Sequence, residues 1–215
     1  MLKTKTLAIA AALLCLAVLG IGIGVKMSMN EDNSAETRNI QGLLWPPTKH
    51  LKPFNLVDQH GKTFDLDRLR GKWSLLYFGY THCTYLCPTT LTALHGFEEK
   101  LAAHGGTAGA QVVFVTVDPQ RDTPTVLAKY LPSFSTDFIG VTGSEKQLDK
   151  LTKQFGILHQ KTDQKGPDNY QMNHSASVLL IDPNVQLVGT FGASQTAEHI
   201  FQRFLEIRRY VDSRT

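Results

Sequence analysis

The stretch from Trp73 to Tyr80, WSLLYFGY, holds no charged residue, and beyond Cys87-Pro88 the apolar positions Leu91, Leu94, Phe97 and Leu101 recur at steps of three and four. A strand that is apolar on both faces is satisfied only inside a sheet covered on both sides. The helical period that follows, to about His104, supplies one such cover. Gln111–Val117 (QVVFVTV) repeats the buried-strand pattern. Two strands joined through a helix run parallel, so the centre of the chain reads as α/β.

The flanking segments extend this plan. Phe54–Leu66 reads as a hairpin turning at His60-Gly61. Thr123-Pro124 opens a further helix with proline in its first turn. A short strand near Phe138–Val141 precedes a helix from about Ser144 to Phe155, with Ser144 as N-cap and Gln147 three residues on. Ser177–Ile181 and Gln186–Phe191 form a terminal hairpin through Asp182-Pro183-Asn184, and Gln195 to about Tyr210 closes as a helix. The expected fold over 51–215 is therefore thioredoxin-like, a central mixed sheet flanked by helices, with an N-terminal hairpin extension.

Lys3 and Lys5 precede Leu7–Val25, a run without charge or proline. A helix of that length spans about 28 Å, close to the hydrocarbon core of a bilayer. A cleaved signal peptide, the alternative, has a shorter apolar region of about 7–15 residues and then a small-x-small site; here the run ends in glycines, isoleucines and a valine without an Ala-x-Ala. Residues 1–27 are expected to be an uncleaved transmembrane anchor, and 28–50 a polar linker ending at Pro46-Pro47. The leading lysines favour a single pass through the inner (cytoplasmic) membrane, with the folded part in the periplasm or another extracytoplasmic space. The net charge of +3 forms no basic stripe interleaved with aromatics, so nucleic acid is not an expected partner.

Three cysteines are too few for a disulfide scaffold. Cys15 sits inside the apolar run and reads as a small apolar residue. Cys83 and Cys87 lie where a buried strand gives way to a helix, the end of an α/β sheet at which ligands bind. Two cysteines four apart point the same way across one helical turn. Pro88 is pre-set for a first turn, and a helix N-terminus favours the thiolate that both metal binding and disulfide exchange require.

Three segments in order, Tyr80-Thr81-His82-Cys83-Thr84-Tyr85-Leu86-Cys87-Pro88, Asp118-Pro119-Gln120-Arg121-Asp122-Thr123-Pro124 and Tyr170-Gln171-Met172-Asn173-His174-Ser175, resemble the motifs of the Sco/SenC family. The resemblance runs from about Lys52 to the C-terminus. It implies a thioredoxin fold that binds copper through Cys83, Cys87 and His174. It also implies service in building the dinuclear copper centre of cytochrome c oxidase, with the copper-bearing oxidase subunit as partner and other copper chaperones or thiol reductases as further partners. Two thiolates and an imidazole are a soft, low-coordinate set, suited to Cu(I) and able to hold Cu(II); structural zinc takes four protein ligands. His82 is a candidate fourth ligand or a plain loop histidine. The family carries aspartate where this chain has Asn173, a position from which a carboxylate would orient the imidazole.

Asp118, Arg121 and Asp122 read either as a turn and helix start or as a support for the cysteine loop. Phe78 and Tyr80 read as core. Three functions compete: copper delivery, thiol-disulfide exchange with Cys83 and Cys87 as the redox pair, and a peroxidase. Exchange enzymes space their cysteines by two residues rather than three and need no late histidine. A peroxidase wants a Pro-x-x-x-Thr/Ser-x-x-Cys context that this loop lacks. Delivery is the expected role.

Overall fold

The computed structural model describes residues 44–106, 109–162, 170–192 and 194–214. The anchor expected over 1–27 lies outside them, and among the described residues no helix is long and apolar enough to cross a membrane.

The apolar run from Trp73 forms β4 (Trp73–Gly79), in which every residue is buried. It lies at the heart of an eight-stranded mixed sheet ordered β1-β10-β9-β4-β5-β6-β2-β3. The remaining strands are β1 (Leu44–His50), β2 (Leu56–Asp58), β3 (Thr63–Phe64), β5 (Ala110–Thr116), β6 (Ile139–Thr142), β9 (Val178–Ile181) and β10 (Gln186–Phe191). β4, β5 and β6 run parallel, and the flanking pairs run antiparallel. The parallel connections are made by α1 (Leu86–Ala103) and α2 (Pro124–Tyr130). α3 (Glu145–Phe155) follows β6, and α4 (Ala197–Asp212) closes the chain.

Helices cover both faces, as the wholly buried β4 demands. On one face Phe204 of α4 meets Trp73 of β4 and Phe97 of α1 edge-on, at 5.6 and 5.3 Å. α2 lies on the same side, and Gly140 admits it: a Cβ there would stand 2.6 Å from Leu131 and 3.1 Å from Leu127. Side chains alternate along a strand, so Phe78 faces the other way and packs on Phe155 of α3 at 5.8 Å. Each fully buried aromatic of this kind contributes about 1.5–3 kcal/mol relative to exposure. The mixed sheet, flanking helices and N-terminal hairpin (β2–β3) are those expected from the sequence.

Two elements depart from expectation. The linker expected over 28–50 gives way at Leu44 to β1, which pairs with β10 at Leu44↔Gly189 and Lys49↔Leu187. The register shifts between those pairs, where Pro46-Pro47 sit; proline lacks the ladder N–H and is tolerated at an edge or a bulge. The second departure is a separate two-stranded sheet, β7 (His159–Lys161) with β8 (Met172–His174). A smaller difference concerns Ser144. It occupies the N-cap of α3, but its side chain makes no cap hydrogen bond.

Candidate metal centre

The loop after β4 is shaped by the first turn of α1. A helix start leaves several N–H groups without partners, and Tyr85 at the N-cap position supplies no side-chain acceptor. The Cys87 N–H donates instead to Cys83 Sγ at 3.3 Å. One cysteine sulfur thus caps the helix that carries the other. Cys87 itself is fully buried, against the end of β4, where only glycine fits: a Cβ on Gly79 would lie 3.0 Å from Cys87 Sγ and 2.8 Å from Phe114. Burial pushes the Cys87 thiol up to about 12, so a metal must displace its proton to bind.

The third group arrives on β8. His159↔His174 and Lys161↔Met172 pair across the small hairpin, and Ser175 N–H donates to Leu158 O at 2.9 Å. His174 Nδ1 lies 3.2 Å from the Ser175 carbonyl. A carbonyl only accepts, so Nδ1 carries the proton and Nε2 keeps a free lone pair. That lone pair faces Cys87 Sγ at 3.9 Å. Burial lowers the His174 pKa below its ordinary value, favouring the neutral ligand form. Ligand atoms of Cys83, Cys87 and His174 all lie within 4.8 Å of one another. Both cysteines are free thiols.

The Asp118–Pro124 segment ties these parts together. Asp122, fully buried, accepts from Thr81 N–H at 3.0 Å, from the Thr81 hydroxyl at 2.6 Å and from the Thr116 hydroxyl at 2.6 Å. Burial raises its pKa, and these donors partly offset the rise. Asp118 accepts from Arg121 Nε at 2.5 Å and from the Tyr170 hydroxyl at 2.7 Å. Arg121 Nη1 donates to the Tyr170 carbonyl, and its guanidinium stacks 3.7 Å from the Tyr170 ring. The segment therefore grips the cysteine loop through Asp122 and the approach to β8 through Asp118, Arg121 and Tyr170. Both readings of the motif hold, since Thr123 also caps α2 by accepting from Val126 N–H. Tyr80 closes the frame. It is buried as expected, its hydroxyl donates to Gln171 Oε1 at 2.7 Å, and its ring meets the imidazole edge-on at 5.7 Å.

His82 is exposed beside the Thr81 hydroxyl, and the three-residue cluster does not include it. Asn173 is exposed on the face of β8 opposite His174. The Ser175 carbonyl, which no side-chain motif announces, orients the imidazole in its place.

Residues 46–210 match the family model described as SCO1/SenC. The SCO2-like protein RP587 of Rickettsia prowazekii is 39% identical over 153 residues, covering 71% of this chain and 74% of that protein. The structure of Arabidopsis thaliana ScoI with copper bound aligns with a TM-score of 0.69 at 29% identity, over 74% of this chain and 98% of that one. Bradyrhizobium japonicum ScoI with copper bound aligns at 0.65 and 32% identity, over 75% and 99%.

Proposed function

The chain belongs to the SCO1/SenC family, and from that premise we propose that it binds copper through Cys83, Cys87 and His174 and delivers it to the copper-centre-bearing subunit of cytochrome c oxidase during assembly. One observation carries the reading: two sulfurs and an unprotonated imidazole nitrogen converge within 4.8 Å. Soft sulfur donors select Cu(I), and the nitrogen accommodates Cu(II). Three ligands leave the metal coordinatively open, which suits a group that must be handed on. When bound, copper supplies a one-electron redox couple. The chain's own residues hold and orient it: Cys83 under the Cys87 amide, His174 under the Ser175 carbonyl.

The anchor read over 1–27 is part of the proposal, with the copper domain held at the inner membrane on its extracytoplasmic side. Removing Met1–Lys26 is expected to move the protein from the membrane to the soluble fraction; retention at the membrane would place the attachment elsewhere.

The central experiment measures copper stoichiometry and spectra of the purified full-length chain and its variants. Serine at either Cys83 or Cys87 abolishes tight binding, and His174→Ala weakens Cu(II) binding far more than it changes the dithiol–disulfide potential. Stoichiometric binding by both serine variants, or unchanged Cu(II) affinity in His174→Ala, refutes the site. A second reading, thiol-disulfide exchange on the target's cysteines, is favoured by the two free thiols lying side by side with Cys83 the more accessible. The two roles share one dithiol, since its oxidation removes the copper ligands.

A further inference from the structure

Tyr77 is the fifth residue of β4 and wholly enclosed, yet its hydroxyl, which lies close to Cys87 and Thr90, makes no well-formed hydrogen bond with either. A buried polar group left without a partner calls for an explanation. Phenylalanine would fill the same space without the penalty. The hydroxyl faces two side chains of the first turns of α1, Cys87 and Thr90. Thr90 Oγ, whose own hydrogen goes to the Leu86 carbonyl at 2.9 Å, keeps acceptor lone pairs but stands outside hydrogen-bonding geometry with the Tyr77 hydroxyl. The Cys87 thiol, directed at His174 Nε2, is a weak acceptor while it remains a thiol. Once a metal replaces its proton, the same sulfur becomes a charged and strong acceptor.

We infer that Tyr77 is a positioning residue for the metal-bound state, its hydroxyl donating to the Cys87 sulfur once that sulfur is a metal-bound thiolate. The inference rests on the copper reading above and deepens it by naming what sets the preferred oxidation state. Hydrogen bonding around a cysteine sulfur tunes the potential of a copper it ligates. Donation from Tyr77 withdraws electron density from sulfur, and the electron-poor Cu(II) loses more by this than Cu(I). Tyr77 thus biases the site toward Cu(I). It does so from inside the sheet, where solvent cannot compete for the hydroxyl.

The test compares Cu(I) and Cu(II) affinities, the sulfur-to-Cu(II) charge-transfer band, and metal-free thermal stability in the full-length chain and three variants. Tyr77→Phe is expected to be at least as stable without metal. Its ratio of Cu(I) to Cu(II) affinity falls about tenfold, and its charge-transfer band moves to lower energy. Tyr130→Phe is the matched control, because Tyr130 also carries a buried hydroxyl without a partner and feels the cysteines only through charge. It leaves ratio and band unchanged, as does Thr90→Val. An unchanged ratio and band in Tyr77→Phe overturns the inference while leaving the copper site standing. So does a metal-free Tyr77→Phe that unfolds or loses stability, or an equal shift in either control. Failure of the parent chain to take copper removes the copper reading and the inference together.

Discussion

Asp122 holds Thr81 twice, through its amide at 3.0 Å and its hydroxyl at 2.6 Å, from a position with no solvent exposure. The carboxylate, just ahead of the α2 N-cap, thereby fixes the loop that begins two residues before Cys83. The loop's shape is thus set by a neighbouring segment as well as by its own Cys87 N–H to Cys83 Sγ bond.

Asp122→Asn keeps the shape but offers one acceptor oxygen and an NH2 group to a site that presents three donors, so one donor is left opposed. The variant is expected to lose about 2–4 kcal/mol of stability, read by denaturant titration, together with copper affinity. Wild-type stability would show that the loop does not depend on this carboxylate.

Gly79→Ala places a methyl 2.8 Å from the Phe114 ring and 3.0 Å from Cys87 Sγ. Overpacking of that order costs about 1–3 kcal/mol, and the relaxation moves the sulfur. Thermal melts should register the first effect and copper titration the second; a variant normal in both would mean that the strand end has room to spare.

His174 gives a pH dependence of known sign. Burial holds its folded-state pKa below the ordinary 6.5, so between those values the unfolded chain binds more protons than the folded one. Stability therefore rises with pH through this window and falls as pH drops below about 6.5. His174→Ala should lose this increment, so the stability difference between parent and variant should shift toward the variant on acidification. A pH-independent difference would show that the ring is not buried as described.

Asn173→Asp is expected to change copper affinity by less than about twofold, because an exposed charge on the far side of β8 is screened by solvent. Isothermal titration decides the point. A large gain would mean that a carboxylate at this position reaches the imidazole after all.

Much of this arrangement was legible in the sequence, and the exceptions share a cause. Trp73–Gly79, Leu91 to Leu101 and Gln186–Phe191 announce themselves because burial imposes an apolar period on them. The strands His159–Lys161 and Met172–His174 do not, since HQK and MNH are too short and too polar to carry one. Their pairing rests on backbone bonds rather than on an apolar pattern. Pro46-Pro47 read as the end of a linker because the open edge of β10, which recruits Leu44–His50, is a tertiary fact. The cysteine pair was visible from local chemistry. The contribution of His174 came through a motif, and its orientation by the Ser175 carbonyl came from the backbone, which no residue pattern encodes.

The two-stranded sheet of β7 and β8 shares no ladder with the eight-stranded sheet behind Cys87. A lone pair of short strands has little stability of its own, whereas β4 is central and buried throughout. Amide exchange should accordingly be fast at Met172–His174 and slow at Leu75–Phe78. Local opening would then move the imidazole away while the two cysteines, which would hold copper if it binds as proposed, stay in place. The three groups thus rest on two separate sheets, and the contacts of Tyr170 and Gln171 with Asp118, Arg121 and Tyr80 tie the imidazole's strand to the cysteines' side.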